Sequence, residues 1–265
     1  MAKLVECFSN HVFLASNPVD VVWGEHTVLT SEFSCMEDLV KRGYWKYYIN
    51  LTGEEFPLLT NMELVYILSK LHGSNLISRS LTFPERLPQT LPRNLTKYKG
   101  SAHWLLNFEA VKFALEQPIA QALNASLTPY FATEESFFQI LNFNPQVNFP
   151  GGWRKNVSDE SYSDPGISRH KEWLTHSYNC ASGRKQRNLC MLGINQVPVL
   201  TRKSYGRKLV ANKFPWNFQP LAWDCMVVWH MQRVLNEFET GKIAHDFKYI
   251  IENHYFKSAR KVVGF

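Results

Sequence analysis

Residues 46–73 read KYYINLTGEEFPLLTNMELVYILSKLHG. With the two residues before them, they open on an aromatic and β-branched run, YWKYYINL, which is strand chemistry. Thr60-Asn61-Met62-Glu63 is then a capping box: hydroxyl and carboxylate can each satisfy a backbone N–H that the first helical turn leaves unpaired. Leu64, Ile67, Leu68 and Leu71 recur at i, i+3, i+4 and i+7, which predicts an amphipathic helix, and Gly73 ends it. A strand feeding a helix within one short stretch is the unit of an α/β protein.

The same alternation extends in both directions. Residues 11–16, HVFLAS, are short and apolar enough for a buried strand. Val21-Val22-Trp23 leads into a helix whose Phe33, Met36, Leu39 and Val40 share a face, with Gly43 where a C-terminal glycine belongs. Residues 80–96, SLTFPERLPQTLPRNLT, have no clean period and read as a loop. SAHWLL at 101–106 predicts a strand, Asn107 a helix cap, FEAVKFALEQ a helix, and Pro118 a helix restart at the position where a missing N–H costs nothing. ATEESFFQIL at 132–141 predicts a short helix capped near Ala132 or Thr133. Residues 143–185 are irregular, RNLCML at 187–192 predicts a strand, and a long helix starts at Pro220 with Leu221, Cys225, Val228, Gln232 and Leu235 on one face. Strand-helix alternation predicts α/β architecture with a largely parallel central sheet. No internal repeat or linker divides residues 1–265, so one domain is expected.

Composition narrows the function classes. In 265 residues, 45% hydrophobic and 14% aromatic content rule out disorder, and the formal charge is +6. The basic residues are scattered apart from short runs at Arg184 to Arg187, Arg202 to Lys208 and 257–261, so no basic stripe points to nucleic acid. Asn50, Asn94, Asn124 and Asn156 head N-glycosylation sequons. Five cysteines form no CxxC pair. The first twenty residues have no signal-peptide pattern, and no apolar run is long enough to span a bilayer.

Phosphate-cradling glycine loops, HExxH and Asp-x-Asp are all absent, and the histidines are dispersed. His103 and His230 read as packing residues. What remains is Glu134-Glu135 and the basic residues of 184–213. Two acids at a helix start gain from the macrodipole, and that structural reading stands beside a second, in which one of them is a base in a dry pocket. Arg187 and Lys213 read on their own as surface charge.

The blocks KYYINLTGEEFPLLTNMELVYILSKLHGSN, KGSAHWLLNFEAVKFAL, TPYFATEESFFQIL and LVANKF resemble, in order and spacing, the core-2/I-branching β1,6-N-acetylglucosaminyltransferase family, glycosyltransferase family 14. The loops resemble the nematode members more than the vertebrate ones. The resemblance implies a GT-A-like fold and an inverting, metal-independent transfer of N-acetylglucosamine from UDP-GlcNAc to a glycan hydroxyl, with no cofactor. It implies Glu135 as general base, Arg187 and Lys213 as cations for the departing diphosphate, and Trp173, Glu134 and Arg86 toward the acceptor. A core tryptophan is an equal reading of Trp173. The acceptor segment departs from the family, with Ile77 where a glutamate stands.

The resemblance also implies a Cys180–Cys190 disulfide, with Cys7, Cys35 and Cys225 free because their family partners are replaced or lie upstream. It implies a type II Golgi membrane protein facing the lumen. The signal anchor, the stem and the first nucleotide-binding βα units are expected upstream of residue 1. A peptide O-xylosyltransferase-like activity and a non-catalytic sugar- or partner-binding remnant are the alternatives.

Overall fold

The computed structural model describes residues 2–8, 11–79, 86–153, 167–174, 179–202, 208–243 and 247. The sequon at Asn156 and the basic run 257–261 lie outside them. The Thr60 capping box forms as read: its hydroxyl accepts from Glu63 N–H, the Glu63 carboxylate accepts from Thr60 N–H, and the helix α3 runs Asn61–Lys70. It follows α1 (Ala2–Cys7) and α2 (Thr27–Lys41), whose chain turns away at Gly43 with φ at +119°.

The aromatic run supplies β1 (Tyr47–Ile49), paired antiparallel with β3 (Leu105–Asn107) in the register Tyr48 to Leu106. Asn107 is both the last residue of β3 and the cap of α4 (Phe108–Glu116), accepting from Ala110 N–H. Its amide also donates to Gly73 O and Asn75 Oδ1, which ties the end of α3 to the start of α4. Gly151 closes over this knot at a φ of +68°, where a Cβ would come within 2.2 Å of Gly73 O. Pro118 restarts the chain as α5 (Pro118–Leu127), and α6 (Phe137–Phe143) follows with all of its residues buried. Trp104, Phe137, Phe138 and Phe143 form the centre of the principal core together with Leu29, Met36, Ile67 and Leu105.

A second sheet lies apart from the first. Its order is β2 (Glu55–Pro57), β7 (Val210–Asn212), β4 (Arg169–His170), with β2 antiparallel and β4 parallel to β7. A smaller core of Phe56, Leu58, Leu192, Leu200, Ala211, Phe214, Ala222 and Met226 packs it against α7 (Val197–Leu200) and the long α8 (Pro220–Thr240). The hairpin β5 (Lys185–Gln186) and β6 (Leu189–Cys190) makes the third sheet.

The architecture is therefore mixed α/β, but the expected largely parallel sheet is not what forms. Among the described residues the sheets are small, and β4 with β7 is the parallel pairing. Residues 11–16 make no strand. Ser16 is instead held by α2, its N–H and hydroxyl both donating to the Asp38 carboxylate, while Phe13 lies under the Arg42 guanidinium. Side-chain anchoring has replaced a sheet ladder. The strand read at 187–192 shrinks to Leu189–Cys190, because Arg187 and Asn188 form the turn before it.

Candidate functional site

The acidic segment is built on a stitched turn. Ala132 adopts the left-handed conformation at φ +54°, and its N–H donates to Gly24 O at 2.7 Å. Gly24 has φ +81°, and a Cβ there would meet the Phe131 ring at 2.0 Å, so only glycine fits this approach. From that turn Thr133–Glu135 form a 3-10 helix and the chain enters the buried α6. His26 Nδ1 lies 2.9 Å from Thr133 Oγ1, a further tie between α2 and the acids.

The two neighbouring carboxylates meet different environments. Glu134 is 8% exposed, and burial pushes its carboxyl up to about 7. Its Oε2 is buried without a hydrogen-bond partner among the described residues. Glu135 has a side chain 32% exposed and forms an ion pair with Lys99 at 2.9 Å, while its carbonyl accepts from Gly100 N–H at 2.7 Å. Solvent reaches the Glu135 carboxylate and is nearly shut out from Glu134.

From Lys99 a polar floor continues away from the acids. Lys171 Nζ donates to Ser101 Oγ at 2.9 Å and to His103 Nδ1 at 2.8 Å. Burial, reinforced by Lys171, Arg169 and Lys213, pushes His103 down to about 2. His103 is therefore neutral, and the 3.5 Å approach of its Nε2 to Glu55 is not an ion pair. Glu55 instead accepts from Arg169 Nε at 2.7 Å and from Asn212 Nδ2 at 3.0 Å. Both Glu55 and Arg169 are buried, so removing either would strand a charge away from water.

The floor ends at the cations. Strand β4 leads to Glu172 and Leu174, whose backbones pair with Cys190 and Asn188 of the hairpin. Arg187 and Asn188, at φ +51° and +62°, are the central pair of its tight turn, the conformation that hairpin twist demands. The Cys180–Cys190 disulfide closes the loop carrying them, with Cα atoms 5.3 Å apart. Cys7, Cys35 and Cys225 are free thiols. Lys213, just past β7, donates to Gln186 Oε1 and to Glu54, both at 2.8 Å, so its charge is compensated by Glu54. Arg187 has no acidic partner among the described residues; its guanidinium lies over the Trp23 ring at 3.8 Å. Trp23 meets Phe131 edge-on at 5.2 Å, and the Arg86 guanidinium lies 5.2 Å from that same Phe131 ring.

Successive pairwise contacts thus link Arg187 and Arg86 through Trp23 and Phe131 to the segment that carries the acids, while Lys213 contacts Gln186 beside Arg187. Trp173 stands 55% exposed against Leu189, which removes the core reading. Of the sequon asparagines, Asn50 is held inside the fold. Its side chain is buried, its amide donates to Ala102 O, and its carbonyl accepts from Trp104 N–H. Asn94 is exposed and Asn124 half-buried. Reading the sequence missed Glu55, Arg169, Lys171 and Trp23. The chain order separates Glu55 from Arg169 by 114 positions, and no local pattern marks that pair.

The family model for the Core-2/I-branching enzyme matches residues 1–200. The N-acetyllactosaminide beta-1,6-N-acetylglucosaminyl-transferase of Mus musculus is 32% identical over 264 residues, covering 89% of this chain and 63% of that protein. The Homo sapiens protein of the same name is 28% identical over 90% of this chain and 63% of its own. An Ovis aries beta-1,3-galactosyl-O-glycosyl-glycoprotein beta-1,6-N-acetylglucosaminyltransferase 3 is 27% identical over 80% of this chain and 53% of its own. This chain belongs to the Core-2/I-branching enzyme family. It spans about 63% of the length of the first of these relatives.

Proposed function

We propose that this chain carries the reaction centre of a β1,6-N-acetylglucosaminyltransferase that moves N-acetylglucosamine from UDP-GlcNAc to a glycan hydroxyl, with inversion and without a metal ion. The observation that carries the reading is the polar array with an accessible carboxylate at one end and two basic side chains at the other. Glu135 accepts the proton of the acceptor hydroxyl as its oxygen bonds to the anomeric carbon. The bond from that carbon to the phosphate oxygen breaks on the opposite face, and UDP leaves with the electron pair. Arg187 and Lys213 meet the charge that develops on the diphosphate, Lys213 exchanging its Glu54 contact for phosphate oxygen. Pre-placed charge matters here because it needs no reorganisation when the bond breaks.

The mixed α/β elements fit a GT-A-like domain, and the disulfide fits the oxidising lumen of the secretory pathway. No helix among the described residues is long and apolar enough to cross a membrane. Exposed Trp173, beside the floor, offers a face on which a sugar ring can stack. Transfer from UDP-GlcNAc to a galactose-containing acceptor, assayed with and without excess EDTA, tests the proposal. Activity is expected to be unchanged by EDTA. A loss that manganese restores would remove the role given to Arg187 and Lys213.

A further inference from the structure

We propose that Trp23 is a positioning residue for the diphosphate: it holds the Arg187 guanidinium over its ring and fixes it relative to the acid-bearing turn. The proposal rests on Arg187 as a diphosphate contact and goes beyond it by naming what orients that contact. Arg187 is a long, flexible side chain at the tip of an exposed hairpin. The disulfide and the turn fix its backbone, but neither fixes where the guanidinium lies. The Trp23 ring does so, at a centroid distance of 3.8 Å. A guanidinium on a ring face keeps its N–H donors at the rim, free for phosphate oxygens in the same plane.

Trp23 is itself anchored toward the acids. Its edge contact is Phe131, and the neighbouring Gly24 carbonyl receives the Ala132 N–H, two residues before Glu134. Trp23 thus links the hairpin tip to the acidic turn through the cation–ring contact and the Trp23–Phe131 contact. Trp23 is 59% exposed, so its ring is open to solvent beside the Arg187 guanidinium. Exposure at a tryptophan clamped between a cation and an aromatic is what a ligand-facing support needs.

Calorimetric titration of the full-length protein with UDP and with inorganic pyrophosphate tests this. Trp23→Phe, which keeps a ring face, is expected to bind both within about twofold of the parent, and Trp23→Leu about fivefold more weakly, the scale of one exposed cation–ring contact. Arg187→Lys keeps the charge and loses the guanidinium–ring contact, and is expected to weaken binding by a similar factor without touching the core. Trp23→Leu should add nothing to Arg187→Ala. If Arg187→Ala weakens binding while Trp23→Leu and Arg187→Lys do not, the positioning role is overturned and the diphosphate contact stands. If Arg187→Ala binds like the parent, or the parent shows no saturable binding, the diphosphate contact falls and this proposal with it.

Discussion

The acids and the cations of the site are held in opposite ways. Glu134 and Glu135 sit on a turn that runs directly into α6, a helix buried along its whole length in the principal core. Arg187 sits on a two-residue turn of a short, largely exposed hairpin, held by one disulfide and a ring contact. Close packing positions the two acids, whereas covalent closure and cation–ring stacking position Arg187; on the proposed reading these are the base and the charge that meets the leaving group. A base must meet one hydroxyl at hydrogen-bond distance, which suits a rigid core. A diphosphate must enter and leave, which suits a peripheral element whose contacts can be exchanged.

The largest expected effect breaks the acid side. Phe138 is fully buried and meets Trp104 at a centroid distance of 4.3 Å beneath the acidic turn. Phe138→Ala should cost about 3–5 kcal/mol in urea unfolding, from lost burial and the cavity left behind. A cost under about 1 kcal/mol would show that the turn does not rest on this packing.

Breaking the cation side should cost less. Cys180→Ser with Cys190→Ser frees a loop with a sequence separation of 10, which should lower unfolding free energy by about 2–3 kcal/mol. A double variant as stable as the parent would show that the closure does not constrain the unfolded chain. Mass mapping of the oxidised protein should find these two cysteines joined; a bond from either of them to Cys7 would contradict the assignment.

The smallest effect sharpens the contrast between the two neighbouring acids. Burial raises Glu134 to about 7 from an unfolded value near 4.5. Between those values the folded state binds more protons than the unfolded state, so stability falls as pH rises. The stabilisation is fully present below the unfolded value and lost as pH passes through about 7. Glu134→Gln should therefore raise the melting temperature at pH about 8 and leave it nearly unchanged at pH about 4. An equal shift at both pH values would remove burial of the carboxylate as the cause.

The difference between the two sides also explains what the sequence discloses. The capping box at Thr60, the Asn107 cap, the restart at Pro118 and the long helix from Pro220 are local signals, satisfied within a turn or two of the chain, and each forms where it is read, but α8 turns Leu221, Val228 and Leu235 to solvent and buries Ala222 and Met226 instead. The acids were legible because their aromatic neighbours mark a buried helix. Strand-helix alternation was read as a parallel sheet, but pairing partners lie far apart in the chain, and β1 and β2 found antiparallel ones. The run 187–192 looked like strand because its residue types are neutral about where a turn falls; the twist of the hairpin placed Arg187 in that turn. Trp23 carried no local signal, since its meaning lies in residues more than a hundred positions away.

The central claim is that accessibility, rather than a carboxyl raised by burial, selects the base. It is tested most directly by transfer from UDP-GlcNAc with Glu135→Gln and Glu134→Gln side by side, each variant checked for folding and UDP binding. Loss of a positioned base predicts a fall of about 10²-fold or more for Glu135→Gln with UDP affinity retained, and a much smaller change for Glu134→Gln. Equal small losses, or the larger loss at Glu134, would contradict the assignment and return Glu135 to its ion pair with Lys99.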